Sequence, residues 1–162
     1  MKTVNKIIGT VFILGWLGVI FYFSASDSSM STNQTFMAID TLKYLAEKYP
    51  FFELVISKLT ENHSLVYSIR KLAHLTIFCI LQMIIFWAMK LNKCSTLKAS
   101  LFSILGVILY ATFDEIHQYF TPGRSAQVKD VFIDTIGGTA GLCVSYFMIL
   151  IKITYKRIFN KS

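Results

Sequence analysis

Charge is scarce in this chain, and in part of it one sign of charge is missing. Only 15% of its 162 residues are Asp, Glu, Lys or Arg, against 54% hydrophobic. Mean hydropathy is +0.56. Too little polar sequence remains to cover a soluble helical bundle, which argues against that class. Cysteine occurs only at Cys79, Cys94 and Cys143. No disulfide framework is implied, and no metal-type spacing appears. No basic, aromatic-interleaved patch exists, so the net charge of +7 is not a nucleic-acid signal. There is no internal repeat, and residues 1–162 read as a single domain. Proline occurs only at Pro50 and Pro122, each reading as a helix break or turn.

What is present is four apolar runs, at about residues 7–23, 72–89, 97–113 and 131–151. Each approaches the ~20 residues needed to cross a ~30 Å hydrocarbon core. The expected fold is all-α: an integral membrane bundle of four transmembrane helices. Acid is absent from Lys2, Lys6, Lys90, Lys93, Lys98, Lys152, Lys156, Arg157 and Lys161 and the segments holding them. All nine acids lie elsewhere, from Asp27 to Asp134. Excess Lys and Arg marks the cytoplasmic face. A multi-pass cell-membrane protein with both termini cytoplasmic is therefore expected, with residues 24–71 and 114–130 facing outward. The basic side also suits anionic membrane lipid. The first run is read as an uncleaved anchor. It is longer than a signal-peptide core, although Ser24-Ala25-Ser26 resembles a cleavage site.

Residues 24–34 are rich in Ser, Thr and Asn, and read as a solvated loop. Phe36, Ile39, Leu42 and Leu45 then recur at helical spacing, and after Pro50 so do Phe52, Val55, Ile56 and Leu59. Two short amphipathic helices are expected there, on the membrane surface or capping the bundle. Asn92-Lys93 and Thr121-Pro122-Gly123 read as turns. Gly137-x-x-x-Gly141 would let another helix approach closely, and Gly15 and Gly18 are assigned a similar packing role.

Against this apolar background the polar residues stand out. Arg70/His74, Asp114/Gln118 and Asp130/Asp134 are each spaced i, i+4, on one helical face. Counted from the basic end at 1.5 Å per residue, His74, Asp114 and Asp134 lie at about 24, 24 and 27 Å. Three helices thus carry polar groups to one level. One shared cluster is expected: Arg70, Lys71, His74, Asp114, Glu115, Gln118, Arg124, Asp130 and Asp134. Ionisable groups near lipid are costly and suggest function by default. Arg70 and Arg124 suit bidentate recognition of phosphate or carboxylate. His74 can shuttle a proton. A carboxylate among Asp114, Glu115 and Asp134 could act as general acid or base. The candidate catalytic residues are His74, Asp114, Glu115 and Asp134. Arg70, Lys71, Gln118, Arg124 and Asp130 are the candidate binding residues.

A metal site would need His74 or His117 with two carboxylates. There is no H-E-x-x-H, and Asp114-Glu115-Ile116-His117 matches no standard ligand spacing. Neither metal nor cofactor is expected. His117 falls off the Asp114/Gln118 face and reads as a surface histidine. His63 reads as a loop histidine, and Ser125 has no nucleophile elbow or Ser-x-x-Lys around it. Four spans without visible inverted repeats give a transporter little support.

These residues resemble the VanZ-like family of small bacterial membrane proteins. Its pattern reads approximately R-K-x-x-H-x-x-x-F, then D-E-x-x-Q-x-x-x-P-x-R, then D-x-x-x-N-x-x-G-x-x-x-G. This chain supplies Arg70, Lys71, His74 and Phe78; Asp114, Glu115, Gln118, Pro122 and Arg124; and Asp130, Gly137 and Gly141. Asp134 stands where the family usually has Asn, an extra acid able to raise a neighbour's pKa or to pair with Arg70 or Arg124. The resemblance implies an envelope role associated with antibiotic resistance, specifically to the glycopeptide teicoplanin. The protein would act on or shield a membrane lipid, a lipid-linked cell-wall intermediate or the lipoglycopeptide itself. The resemblance supplies no reaction, so enzyme and binding factor both stay open. The alternative is a non-enzymatic structural or interaction protein whose charges only hold the bundle together.

Overall fold

The computed structural model describes residues 2–25, 28–61, 64–122, 124 and 126–159, with the side chains of 2, 28–32 and 34 left aside. His63, Gly123 and Ser125 lie outside the described residues, as do Ser26, Asp27 and Lys161. Six helices follow in order: α1 Lys2–Ala25, α2 Ser28–Lys48, α3 Pro50–Thr60, α4 Leu65–Leu91, α5 Thr96–Tyr119 and α6 Val128–Phe159. No strand occurs among the described residues. α1, α4, α5 and α6 are long and apolar enough to cross a membrane. Their outward faces carry exposed Phe12, Leu101 and Phe147, as lipid-facing surface requires. The chain is a multi-pass membrane protein.

Each spanning helix continues beyond its apolar run. α4 starts at Leu65, before Arg70 and Lys71, and α5 runs through Asp114 to Tyr119. α6 starts at Val128 and so includes Asp130. Every expected member of the cluster except Arg124, which lies between α5 and α6, is therefore helical. The loop expected over residues 24–34 is corrected: α2 begins at Ser28. No Gly or Pro lies between Ser28 and Pro50, so nothing within α2 stops helix propagation. Thr35 and Ile39, one turn apart, are buried and fix the inner face of α2. The break at Tyr49 has extended backbone, and Pro50 opens α3, where its missing N–H costs nothing. α2 and α3 both pack on α4, and Ser68 donates to the Leu59 carbonyl at 2.6 Å.

Ile20, Phe78, Leu81, Val107 and Ala111 form the core where α1, α4 and α5 meet. Two of the hydrogen bonds that pin α1 lie near its middle. The Trp16 indole donates to the Ile77 carbonyl at 2.9 Å, and the Tyr110 hydroxyl to the Leu17 carbonyl at 2.7 Å. The turn between α4 and α5 places Lys93 in the left-handed region, φ 63, and Ser95 caps α5.

Candidate functional site

The site begins with a helix crossing. A Cβ on Gly137 would collide with the Leu75 backbone, and one on Gly141 with the Cys79 backbone. α4 and α6 therefore touch backbone to backbone over one turn, as small residues at i, i+4 allow. Gly15 and Gly18 show no such role among the described residues, since a Cβ there would meet none of them within 4 Å. Gly9 is the closely packed glycine of α1, with the Ala88 Cβ at 3.0 Å.

The crossing sets the register of its neighbours. His74 adjoins Leu75, and Asp134 lies one turn before Gly137, so the two face each other. His74 Nδ1 and Asp134 Oδ1 are 3.4 Å apart. The expected arginine partner of Asp134 is corrected: among the described ion pairs its partner is His74. α5 adds Asp114, whose carboxylate accepts from Gln118 Nε2 at 2.8 Å. Donor atoms of His74, Asp114 and Asp134 all lie within 4.8 Å of one another. Asp114 is 2% exposed and Asp134 0%.

Other expected members take different places. Lys71 pairs with Asp130 and joins α4 to α6. Glu115 is buried, and its Oε2 accepts from the Gln127 backbone N–H at 2.8 Å. It borders a separate, mostly apolar cavity with Ile116, Tyr119 and Val131. Glu115 thus ties down the segment entering α6 and stands apart from His74, Asp114 and Asp134. His117 is half-buried rather than on the surface. Its ring packs against Phe21 at 4.5 Å between centroids, because α1 covers that side of α5.

Two cavities meet over the cluster. One, of about 360 Å³, is lined by Ser64, Tyr67, Arg70, Lys71, His74, Gln118, Arg124, Gln127 and Asp130. The other, of about 220 Å³, is lined by Phe23, Ser24, Thr35, Ala38, Ile69, Ala73 and Ile77 together with Arg70, His74 and Arg124. The first is polar and the second largely apolar, and Arg70, His74 and Arg124 line both. Arg124 also donates through Nη2 to the Phe23 carbonyl at 3.4 Å, which holds it over α1. Sequence reasoning missed Ser24, Thr35 and Tyr67 as lining residues. The i, i+4 spacing of Thr35 and Ile39 was the available signal for Thr35, and the composition of residues 24–34 masked it.

Such an arrangement can take a molecule with an anionic head and an apolar body. Two guanidinium groups would face the head, and the apolar cavity would hold part of the chain. Residues 10–151 match the family described as VanZ/LLP1. No curated protein and no solved structure matches the chain.

Proposed function

The chain belongs to the VanZ/LLP1 family, and on that premise we propose that it binds an anionic amphiphile of the cell envelope at the junction of its two cavities. The observation that carries this reading is the sharing of Arg70, His74 and Arg124 between a polar and an apolar cavity. A lipid phosphate fits both halves. Its charge meets Arg70 and Arg124, and its chain lies against Phe23, Ile69 and Ile77. The distribution of lysines supports cytoplasmic termini in the cell membrane, with this site on the outer side. A lipid-linked cell-wall intermediate held there would be shielded from teicoplanin, which is the form of resistance the reading supports.

A stapling role fits part of the cluster. Lys71 with Asp130, Gln118 with Asp114, and Glu115 with the Gln127 backbone each join or steady helices. Arg70 and Arg124 carry the binding role instead.

The test uses purified protein in detergent and a polyprenyl phosphate as probe. The uncharged polyprenol and phosphatidylcholine serve as comparisons. The phosphate should bind at least about 10-fold more tightly than the alcohol. R70A and R124A should each remove about 2 kcal/mol or more of that preference, the cost of truncating one side of a buried charge pair, with unchanged melting. Equal binding of alcohol and phosphate would overturn the reading. In cells, teicoplanin susceptibility should rise with the same two variants at constant protein abundance.

A further inference from the structure

We propose that His74, Asp114 and Asp134 form a binding site for a divalent transition cation, with zinc and manganese as the fitting class. One imidazole and two carboxylates are a donor set for these borderline and hard ions. The three residues come from α4, α5 and α6, and their donor atoms all lie within 4.8 Å of one another. Two donors held about 2.0–2.1 Å from one tetrahedral ion sit about 3.4 Å apart. His74 Nδ1 and Asp134 Oδ1 are separated by 3.4 Å.

An independent observation points the same way. Asp134 is 0% exposed, and neither of its oxygens accepts a hydrogen bond from any described residue. His74 Nδ1, facing it, makes no hydrogen bond among the described residues either. Buried carboxylates ordinarily accept hydrogen bonds as well as pairing with a charge, and the approach of His74 at 3.4 Å leaves Asp134 without one. A cation between the three side chains makes up that deficit. Gln118 supplies an outer contact by donating to Asp114 Oδ2, the kind of bond that orients a ligating carboxylate. His74 borders both cavities, which gives the ion a route in. Three protein donors leave a further coordination position. If the amphiphile reading above holds, a phosphate oxygen can occupy that position.

The experiment measures ion binding without lipid. Full-length protein in detergent is stripped with EDTA and titrated with Zn²⁺ and then Mn²⁺, with bound metal counted by mass spectrometry. Co²⁺ absorption reports the ligand set. Close to one ion per chain is expected. H74A and D134N should weaken binding at least about 100-fold, and E53Q, on exposed α3, should leave it unchanged. Gln118 is a positioning residue, so Q118A should weaken binding about 10–100-fold and shift the Co²⁺ spectrum. Absence of stoichiometric binding, or D134N binding as tightly as wild type, would overturn the proposal. It would leave Asp134 holding a proton instead. Should D134N fail to fold, the wild-type Co²⁺ bands decide: their absence overturns the site. Polyprenyl phosphate binding by stripped and by ion-loaded protein separates the two readings. No lipid binding in either form with ion binding intact overturns only the amphiphile reading, and lipid binding without stoichiometric ion binding overturns only this one.

Discussion

α4, α5 and α6 are joined by polar side chains at two levels, and the two levels are built differently. In the middle of the bundle Gln82 donates to Ser103 Oγ at 3.0 Å, and Ser103 donates to the Ser100 carbonyl at 3.1 Å. Ser100 Oγ and the Tyr146 hydroxyl lie 2.9 Å apart. All these groups are neutral. The Gln82 carbonyl oxygen has no donor among the described residues, but an amide is far cheaper to bury than a carboxylate. About 12 Å further along α4, eight residues at 1.5 Å each, the same helices carry His74, Asp114 and Asp134. There the groups are ionisable, and Asp134 lacks any described donor. Neutral hydrogen bonds already hold these helices together. Carboxylates are not needed for that task, so their presence against His74, which lines both cavities, argues for a ligand.

Both levels depend on the glycine crossing, and the largest effect comes from removing it. Gly137→Leu must push α6 off the α4 backbone. Overpacking usually costs about 1–3 kcal/mol, and a collision with backbone belongs above that range. G137L should lose monodisperse protein in detergent, read by size-exclusion chromatography and thermal unfolding. Gly15→Leu, facing open space, should stay within about 0.5 kcal/mol of wild type. Equal melting of G137L and wild type would show that the crossing does not set the register of either level.

A smaller effect, of opposite sign, distinguishes the outer level. In metal-stripped protein, Asp134→Asn removes a buried carboxylate without changing its shape. A buried carboxylate without hydrogen bonds costs more than an amide of the same shape, so stripped D134N should melt at or above wild type. Zinc should then reverse the order. At 100 times its Kd a bound ion adds about 2.7 kcal/mol to the protein that holds it, and D134N, binding at least about 100-fold more weakly, should gain no more than about 0.4 kcal/mol. If D134N melts well below wild type in EDTA, Asp134 is a staple like Gln82 and the contrast between the levels disappears.

The sequence exposes some of this architecture and hides the rest for physical reasons. Apolar runs mark the four spans, because the hydrocarbon core demands them. They understate helix length, since α5 continues through Asp114 and Gln118 where hydropathy falls. The i, i+4 spacing of Asp114 and Gln118 becomes a real hydrogen bond, because both lie on one helix. Contacts across helices are less legible. His74 meets Asp134 only through the packing of Gly137 on Leu75, and that register is not written in either segment. Ligand-spacing rules look along one segment, so residues 74, 114 and 134 escape them. Glu115 and Asp114 are adjacent in sequence, yet Glu115 turns to Gln127, because neighbours on a helix do not share a face.

The smallest effect belongs to the middle level. Gln82→Leu and Ser103→Ala, singly and together, form a double-mutant cycle read by unfolding in detergent. Hydrogen bonds between membrane helices average about 0.6 kcal/mol in such cycles, and the coupling between Gln82 and Ser103 should fall near that value. The double variant should then be close to wild type, because replacing both partners by apolar groups leaves no polar atom stranded. The same cycle on His74 and Asp134 in stripped protein should differ in kind. With no hydrogen bond between them, any coupling reflects charge, so it should weaken when one of the pair is neutralised by pH and grow when zinc is added. A Gln82–Ser103 coupling that also responded to zinc would mean the two levels move as one unit. Independence of the middle pair from zinc would place the response of the bundle at the outer cluster alone.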